Sequence, residues 1–432
     1  MSAGWPILHK KMVILIQCGL SSCYHRRGDW RLANRTLCML RNQGAEVAAT
    51  LAPWPPLARP AREGRAVSHI FAGSDWPAAL EQVVNSRIQS IPVVITAACW
   101  PGGRPDTSVR ASDEHEAARI ASSISAQAAL SLADVVVTMS RAQEQLLRTP
   151  GWLDPSFGTP EVLPLLFPVS GTREVQPPTQ DRLPVQGLTS QRFVLCPGTV
   201  TPENGQLHLL SASRKLDAPL CFVGSTTFDP DYAAQCSQLL RPGDVLLGAV
   251  GESELASLYA EAAASCLLAH DEHVRLEALE SCAAGIPTVS TPQQSLQEYV
   301  GNAALYVNHA DPEAVAQTLA KALESARSAP HTLGSDPQTH AARLLDIYAA
   351  AGPAGRGELN MALVCKALSW RLQTVIASLP DGAAAKARCE EMLRAEKARA
   401  DDIYRRFRRI TSLPVIRQYL AFRRWLASLR ER

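Results

Sequence analysis

Two glutamates, Glu272 and Glu280, stand eight residues apart in the segment 272–287. Glu272 follows an apolar run, and Glu280 falls about a turn inside the helix that is predicted next. Eight helical steps return a residue to within about 80° of its starting direction, so both carboxylates can face one crevice. The helix N-terminus offers free N–H groups to an anion such as a diphosphate. Carboxylates on the hydroxyls of a sugar and a ribose, with the helix end on the phosphates between them, would hold a nucleotide sugar. The alternative is two glutamates on a solvated helix face, which is common.

The elements around these carboxylates alternate between apolar runs of strand length and helical patterns. From residue 193 onward the predicted strands are Phe193–Cys196, Leu220–Val223, Val245–Leu247, Cys266–Leu268, Thr288–Ser290 and Ala304–Val307. The predicted helices are Leu207–Arg214, Tyr232–Leu240, Glu252–Ala264, Leu276–Ala284 and Pro312–Ser325. Strands that alternate with helices are typical of a doubly wound parallel sheet, which binds ligands at the carboxyl ends of its strands.

The first part of the chain has a less regular version of the same pattern. Its predicted strands are Met12–Cys18, Glu46–Leu51, Val67–Phe71, Val93–Thr96 and Val135–Thr138, and Trp30–Asn42 is its clearest helix. We therefore predict an α/β fold of two Rossmann-like domains that face a cleft. The predicted limits are a tail at 1–11, an acceptor-side domain at 12–170, a Pro- and Gly-containing linker at 171–191, a donor domain at 192–350 and a helical, basic extension at 351–432.

The order of motifs from Phe193 to about Ser325 resembles the donor domain of retaining family 4 glycosyltransferases, the glycosyl transferases group 1, which have the GT-B fold. The matching pieces include Cys196–Gly205, Phe222–Ser225, Leu246–Val250, Glu254–Ala260, Glu272 to Glu280 with Ala284–Val289, Glu298, Ala304–Val307 and Asp311–Ala314. No single piece is specific, but their order and spacing are. The first domain resembles the family more weakly, for example through Ala133–Val137.

This resemblance implies roles for individual residues. Glu272 would contact the transferred sugar and Glu280 the ribose hydroxyls, as the two catalytic-site carboxylates. Main-chain N–H groups near Arg275 and Leu276 would approach the phosphates, and the base would lie by the loop after Gly248. Such enzymes retain the anomeric configuration, take the nucleotide sugar as a substrate and need no metal or other cofactor. Basic side chains and the helix end stabilise the leaving diphosphate instead.

The sequence departs from the family at the positions expected to bind the diphosphate. The family carries an arginine after the glycine of its first donor strand and a lysine five residues later, and here Gly198 is followed by Thr199 and Asn204. The loss of two charge-assisted contacts would cost several kcal/mol, about 1.5–3 for each contact. Arg275 or His273 could supply the missing charge, or Arg275 could point to solvent.

Two further residues are candidates for contact with an acceptor. His69 and Trp100 fall at the ends of predicted strands on the cleft side. The alternative for each is simple packing, which is more common for a lone histidine or tryptophan. The sequence contains no P-loop, no nucleophile elbow and no dinucleotide-binding glycine pattern, which disfavours these three enzyme classes.

Charge and cysteine content limit the partners and the compartment. The chain of 432 residues has a formal net charge of +2, so we expect no nucleic-acid partner. Residues 386–432 hold 14 basic and 6 acidic side chains, and 403–432 could lie on an anionic membrane or pack as a helical appendage. Eleven cysteines without a C-x-x-C pair suit a reducing compartment. We expect a cytoplasmic protein that can be peripheral on the inner face of the plasma membrane.

Two functions remain open at this stage. The first is transfer of a sugar from a nucleotide-diphosphate donor to a glycan or a lipid-linked acceptor with retention, in bacterial surface polysaccharide biosynthesis. The second is a catalytically weak, glycosyltransferase-like binding or scaffold subunit. The neutral residues at positions 199 and 204 favour the second, and the pair Glu272 and Glu280 favours the first.

Overall fold

The computed structural model of the protein describes residues 12–18, 28–50, 65–73, 75–89, 91–98, 114–148, 161–164, 169–170, 192–269, 275–330 and 332–351. By their internal contacts, residues 1–105 and 122–363 form one unit, and residues 106–121 and 364–432 form another. Of the second unit, the structure describes residues 114–121, which are helical. The predicted N-terminal tail, the linker 171–191 and, apart from Ala351, the extension 351–432 lie outside the described residues, and the predicted domain limits stay predictions.

The first half of the chain forms a six-stranded parallel sheet with the strand order β2-β1-β3-β4-β5-β6. Its strands are β1 (Met12–Cys18), β2 (Glu46–Thr50), β3 (Arg65–Ala72), β4 (Val93–Ala97), β5 (Val135–Thr138) and β6 (Glu161–Pro164). Its helices are α1 (Gly28–Asn42), α2 (Trp76–Ile88), α3 (Glu114–Leu132) and α4 (Arg141–Arg148). The strands β4 and β5 are buried along their whole length, as expected for parallel strands with helices on both faces.

The second half forms another six-stranded parallel sheet, with the order β10-β9-β8-β11-β12-β13. Its strands are β8 (Val194–Pro197), β9 (Leu220–Val223), β10 (Val245–Gly248), β11 (Ala264–Leu267), β12 (Thr288–Ser290) and β13 (Ala304–Tyr306). Its helices are α5 (Gln206–Ala212), α6 (Pro230–Gln238), α7 (Glu252–Glu261), α8 (Leu276–Ala283), α9 (Gln294–Val300) and α10 (Pro312–Glu324), with short 3-10 helices at Pro202–Asn204, Ser213–Lys215 and Gly301–Ala303.

Two further contacts link the halves of this unit. The strand β7 (Val169–Ser170) pairs antiparallel with β14 (Thr332–Leu333). The last described helix, α11 (Pro337–Ala350), packs on α1 although the sequence places it in the donor domain. One buried apolar cluster therefore contains Ile14 of β1, Leu40 of α1, Leu279 of α8 and Tyr348 of α11.

The sequence predicts most of these elements closely. The limits of β1, β5, β9 and β12 are those expected from the apolar runs. The helix α7 ends three residues earlier than predicted, because Ala264 already belongs to β11. The side chain of Asp229 accepts a hydrogen bond from Tyr232 N and caps α6. None of the helices in the described ranges combines the length and hydropathy that a membrane span requires.

Candidate functional site

The carboxyl ends of β8, β9 and β10 lie side by side at one edge of the second sheet. Gly198 N donates to Val223 O at 2.8 Å, and Gly224 N donates to Gly248 O at 2.9 Å. Gly198 and Gly248 both have a positive φ, 132° and 73°, which favours glycine. The structure thus brings the predicted donor positions Gly198 and Gly248 to the same edge.

The loop after β8 contains Thr199 and Asn204, where the family resemblance predicts basic residues. Asn204 Nδ2 donates to Thr199 O at 2.6 Å, and Gln206 Nε2 donates to the same oxygen at 3.0 Å. Gly205 turns the chain with φ of 68° so closely over Leu268 that an added Cβ would lie 2.4 Å from the carbonyl oxygen of Leu268. Asn204 and Gln206 hold the loop in place here, and this loop contributes no positive charge at positions 199 and 204.

The helix α8 begins next to this loop, after β11. Its N-cap is Arg275, whose side chain has no hydrogen-bond acceptor and so cannot cap the first amides. Arg275 is half-buried, and Leu276 is buried together with Leu279 and Ala283. The apolar stripe of α8 anchors the helix on the sheet and aims its first turn at the sheet edge.

Glu280 lies in the second turn of α8 and is buried, with 2% of its surface exposed. Its Oε1 accepts a hydrogen bond from Arg31 Nη2 at 2.6 Å and another from Arg35 Nη2. Its Oε2 accepts a hydrogen bond from Tyr259 in α7 at 3.1 Å. Both oxygens of this predicted ribose ligand therefore have protein partners in the structure.

Both arginines come from α1, the first helix of the other sheet. They stand four residues apart, so they project from the same face of the helix. The side chain of Arg31 is 8% exposed and that of Arg35 is 34% exposed. Arg31 Nε also lies 3.5 Å from Glu252 Oε1, at the start of α7. The guanidinium of Arg31 is thus seated between the first turn of α7 and the second turn of α8.

The charges of this cluster stabilise each other against burial. Burial raises the pKa of Glu280, but the attraction of Arg31 and Arg35 outweighs it and holds that pKa below its ordinary value. Burial also lowers the pKa of Arg31, and the attraction of Glu280 more than reverses this. Glu280 is therefore ionised at neutral pH, and Arg31 is charged.

The sequence alone does not reveal Arg31 and Arg35 as part of the site. Their only sequence signal is the i, i+4 spacing on a helix whose leucines face the sheet. A polar face of this kind is usually solvated in an amphipathic helix. Only the packing of α1 near α8 turns it into part of a buried cluster.

His69, predicted to face the cleft, lies inside the first sheet with 1% of its surface exposed. Its Nδ1 is 2.6 Å from the hydroxyl of Tyr348, and its Nε2 is 2.7 Å from that of Thr96. Burial, with a smaller contribution from His340, lowers its pKa to about 3. The structure thus places His69 in packing rather than on a surface that an acceptor could reach.

Three predicted site residues fall outside the described ranges: Glu272, expected to contact the transferred sugar, His273, a candidate source of positive charge, and Trp100, expected on the acceptor side. Glu298, one of the family-like positions, is described and joins the two halves. Its carboxylate accepts hydrogen bonds from the amides of Arg141 at 2.8 Å and Ala142 at 2.6 Å, in the first turn of α4.

Two parallel six-stranded sheets with covering helices define a GT-B architecture, which confirms the predicted fold class. The sucrose-phosphate synthase from Thermosynechococcus elongatus shares this fold. The two chains are 16% identical with a TM-score of 0.55, and the match covers 85% of this chain and 100% of that one. This likeness concerns the fold alone.

Two other solved structures match with lower scores. A glycosyltransferase from Rickettsia africae has 15% identity and a TM-score of 0.47, with 85% of this chain and 99% of that chain covered. HepE from Anabaena, solved in complex with UDP and glucose, has 15% identity and a TM-score of 0.48, with 84% and 100% covered. No curated protein matches the sequence.

The second sheet and its helices can be assigned more narrowly. Residues 191–325 match the family described as "Glycosyl transferases group 1". This match confirms the family resemblance that the motif order predicts.

Proposed function

We propose that this protein is a retaining glycosyltransferase that moves a sugar from a nucleoside diphosphate donor to a glycan or lipid-linked acceptor. The proposal is supported by one arrangement above all. Within residues 191–325, which match the glycosyl transferases group 1, Gly198 and Gly248 lie at the carboxyl edge of a parallel sheet, and α8, which follows the neighbouring strand β11, carries the buried carboxylate of Glu280. Sheet edges of this kind are where α/β folds bind nucleotides.

The proposed reaction assigns each part of this edge a task. The bond between the anomeric carbon and the diphosphate oxygen breaks, and its electron pair leaves with the nucleoside diphosphate. The acceptor oxygen bonds to the same face of that carbon, and its proton passes to the departing phosphate. Glu272 would hold the sugar, Glu280 the ribose, and the first amides of α8 the diphosphate, without a metal ion.

The biological setting is part of the proposal. Group 1 glycosyltransferases commonly build surface polysaccharides, and we place this protein in that process in a bacterial cytoplasm. The basic segment 403–432 would hold it on the anionic inner face of the membrane, where lipid-linked acceptors lie. This segment is outside the described residues.

A second function, a binding or scaffold subunit without transferase activity, is favoured by two observations. Positions 199 and 204 carry no positive charge, and both oxygens of Glu280 already have protein partners. A protein that kept the fold for assembly alone would need neither a free ribose ligand nor a diphosphate clamp.

The first experiment is thermal unfolding with UDP-, GDP-, ADP- and CMP-sugars and their nucleotides. A ligand at about 100 times its dissociation constant adds roughly 2.7 kcal/mol to the free energy of unfolding. We expect stabilisation of the protein by the sugars and nucleotides of one nucleotide family. We also expect slow cleavage of the matching donor, which is measured as free nucleotide. Glu272→Gln should bind the nucleotide with the affinity of the wild type. It should cleave the nucleotide from the donor sugar at least about tenfold more slowly.

The control is Glu324→Gln, which changes an exposed glutamate at the end of α10. It should leave binding and release unchanged. Binding of a donor without turnover on any glycan or lipid-linked acceptor would favour the scaffold function. No stabilisation by any nucleotide would refute the donor proposal.

A further inference from the structure

Two arginines of α1, Arg31 and Arg35, donate hydrogen bonds to one carboxylate, that of Glu280 on α8. Within the described ranges, Glu280 is the only carboxylate that both Arg31 and Arg35 contact. Glu252, near Arg31, is 60% exposed, so solvent screens most of its charge, and Glu277, half-buried on α8, also attracts Arg31 without a hydrogen bond to it. The hydrogen-bonded core of the cluster therefore carries one negative and two positive charges.

The two arginines lie beside α8, where the proposed donor would bind. Arg31 is seated between the start of α7, which follows Gly248, and Glu280 on α8. In the proposed function the base lies by the Gly248 loop and the ribose at Glu280. Arg31, which comes from α1, therefore places a positive charge between these two points.

The loop that would normally supply positive charge cannot do so. Position 199 is a threonine, and Asn204 is tied to the main chain of Thr199. Guanidinium groups bind phosphate oxygens with paired hydrogen bonds, and they do so best when they are already desolvated and held in place. Arg31 meets both conditions, and Arg35, which is one-third exposed, has room to move.

We propose that Arg31 and Arg35 form the diphosphate clamp of this protein, and that Glu280 holds them in place until a nucleotide enters. This inference rests on the proposed function. On binding, the phosphates replace the carboxylate as partners of the arginines, and the ribose hydroxyls replace the arginines as partners of Glu280. Each polar group exchanges one partner for another, so no buried charge is left alone.

The test uses Arg35→Gln in the full-length protein, because Arg35 is more exposed than Arg31 and its loss leaves the Arg31–Glu280 pair intact. The probes are UDP, GDP, ADP, CMP, the corresponding nucleosides and inorganic pyrophosphate, each titrated by calorimetry. We expect Arg35→Gln to weaken binding of pyrophosphate and of the preferred nucleotide by at least about tenfold, the cost of one charge-assisted hydrogen bond. Nucleoside binding should not change.

The matched control is Arg41→Gln in the last turn of the same helix, where the side chain is exposed and donates to Val47 O. It should bind every probe as the wild type does. Equal or tighter binding of phosphates by Arg35→Gln would overturn the clamp, because it would mean that the arginines only compete for Glu280. If Arg35→Gln binds nucleotides as tightly as the wild type, the clamp proposal fails and the donor proposal stands.

The remaining outcomes separate the clamp from the proposed function. If the wild type binds pyrophosphate through Arg35 but no nucleotide, the clamp stands as an anion site and the donor proposal fails. If it binds none of these probes, both fail. A conservative Arg31→Lys variant gives a second check, since a lysine keeps the charge but loses the paired hydrogen bonds. It should retain part of the pyrophosphate binding that Arg35→Gln loses.

Discussion

His69 is a buried histidine whose protonation depends on the fold. A neutral imidazole has one donor and one acceptor nitrogen, so it can satisfy the hydroxyls of Tyr348 and Thr96 together. A proton on the second nitrogen would require both hydroxyls to accept, in a place where burial and His340 already oppose the charge. The fold therefore keeps this histidine neutral.

A pH dependence of stability follows from this neutral state. Burial lowers the pKa of His69 to about 3, while its unfolded value is near 6.5. Between these values the unfolded chain binds a proton that the folded chain does not, so stability falls as the pH falls from about 6.5 towards 3. From pH 7 to pH 5 this one group should cost about 2 kcal/mol.

His69→Gln removes this titration while keeping polar atoms for the two hydroxyls. Urea unfolding at pH 7, 6 and 5 should show a smaller loss of stability in the variant than in the wild type. The same loss in both proteins would mean that other groups cause the pH dependence.

At the scale of elements, α1 serves two regions at once. Leu32, Leu37 and Leu40 enter the apolar cluster of the first sheet, while Arg31 and Arg35 reach Glu280 beside the second. The leucine face is predictable from the sequence, because helical periodicity alone reveals it. The role of the arginines is not, since it depends on an element that lies 240 residues or more further along the chain.

The same distinction explains what else the sequence could predict. Buried parallel strands such as β1 and β9 are apolar throughout, so their limits can be read directly. The helix α11 escaped prediction, and its packing on α1 is a tertiary contact without a local pattern. In the candidate site, the motif order places Gly198, Gly248 and Glu280 at one sheet edge. It does not reveal that Glu280 binds two arginines, nor that His69 is enclosed.

The main chain after β9 approaches that after β8 very closely at Gly224, which gives a prediction for this residue. It has φ of 156°, and an added Cβ would lie 1.9 Å from Gly198 O. Because that contact is with the main chain, the strands would have to separate and break the bond between Gly198 N and Val223 O. Gly224→Ala should therefore lower the free energy of unfolding by about 2–4 kcal/mol, measured by urea denaturation.

Gly251→Ala is the control for this substitution. There the nearest atom to an added Cβ is a carboxylate oxygen of Glu254 at 3.4 Å, on a side chain that can move. The cost should be less than about 1 kcal/mol. Similar losses of unfolding free energy in the two variants would show that the close approach of the strands is not what requires glycine at position 224.

At the scale of the molecule, polar groups tie the two sheets of the larger unit together at two places. One is the cluster of Glu280 with Arg31 and Arg35. The other is formed by α9, where Glu298 binds the first amides of α4 and the hydroxyl of Tyr299 donates to Met139 O at 2.7 Å. The apolar cluster around Ile14 and Leu279 is also shared by the two sheets, while two further clusters belong to the second sheet and its helices alone.

Neutralising Glu280 tests how strongly the first tie holds the sheets. In Glu280→Gln two guanidinium groups, one of them almost fully buried, lose their charge partner. The free energy of unfolding should fall by about 3–5 kcal/mol, the usual cost of breaking a buried ion pair from one side. Glu252→Gln, which removes a largely exposed neighbour of Arg31, should cost less than about 1 kcal/mol. Urea unfolding of both variants separates these values, and equal small losses would contradict the importance of the cluster.

The seat of Arg31 between α7 and α8 also has a kinetic consequence. In the proposed clamp, a nucleotide can enter only after Arg31 and Arg35 leave Glu280, because these side chains are already paired with the carboxylate. The observed rate of binding then rises with ligand concentration only until it reaches the rate of this departure, and it stays constant above that. Because the same two side chains would then hold the bound phosphates, α1 is the element that controls entry in this scheme.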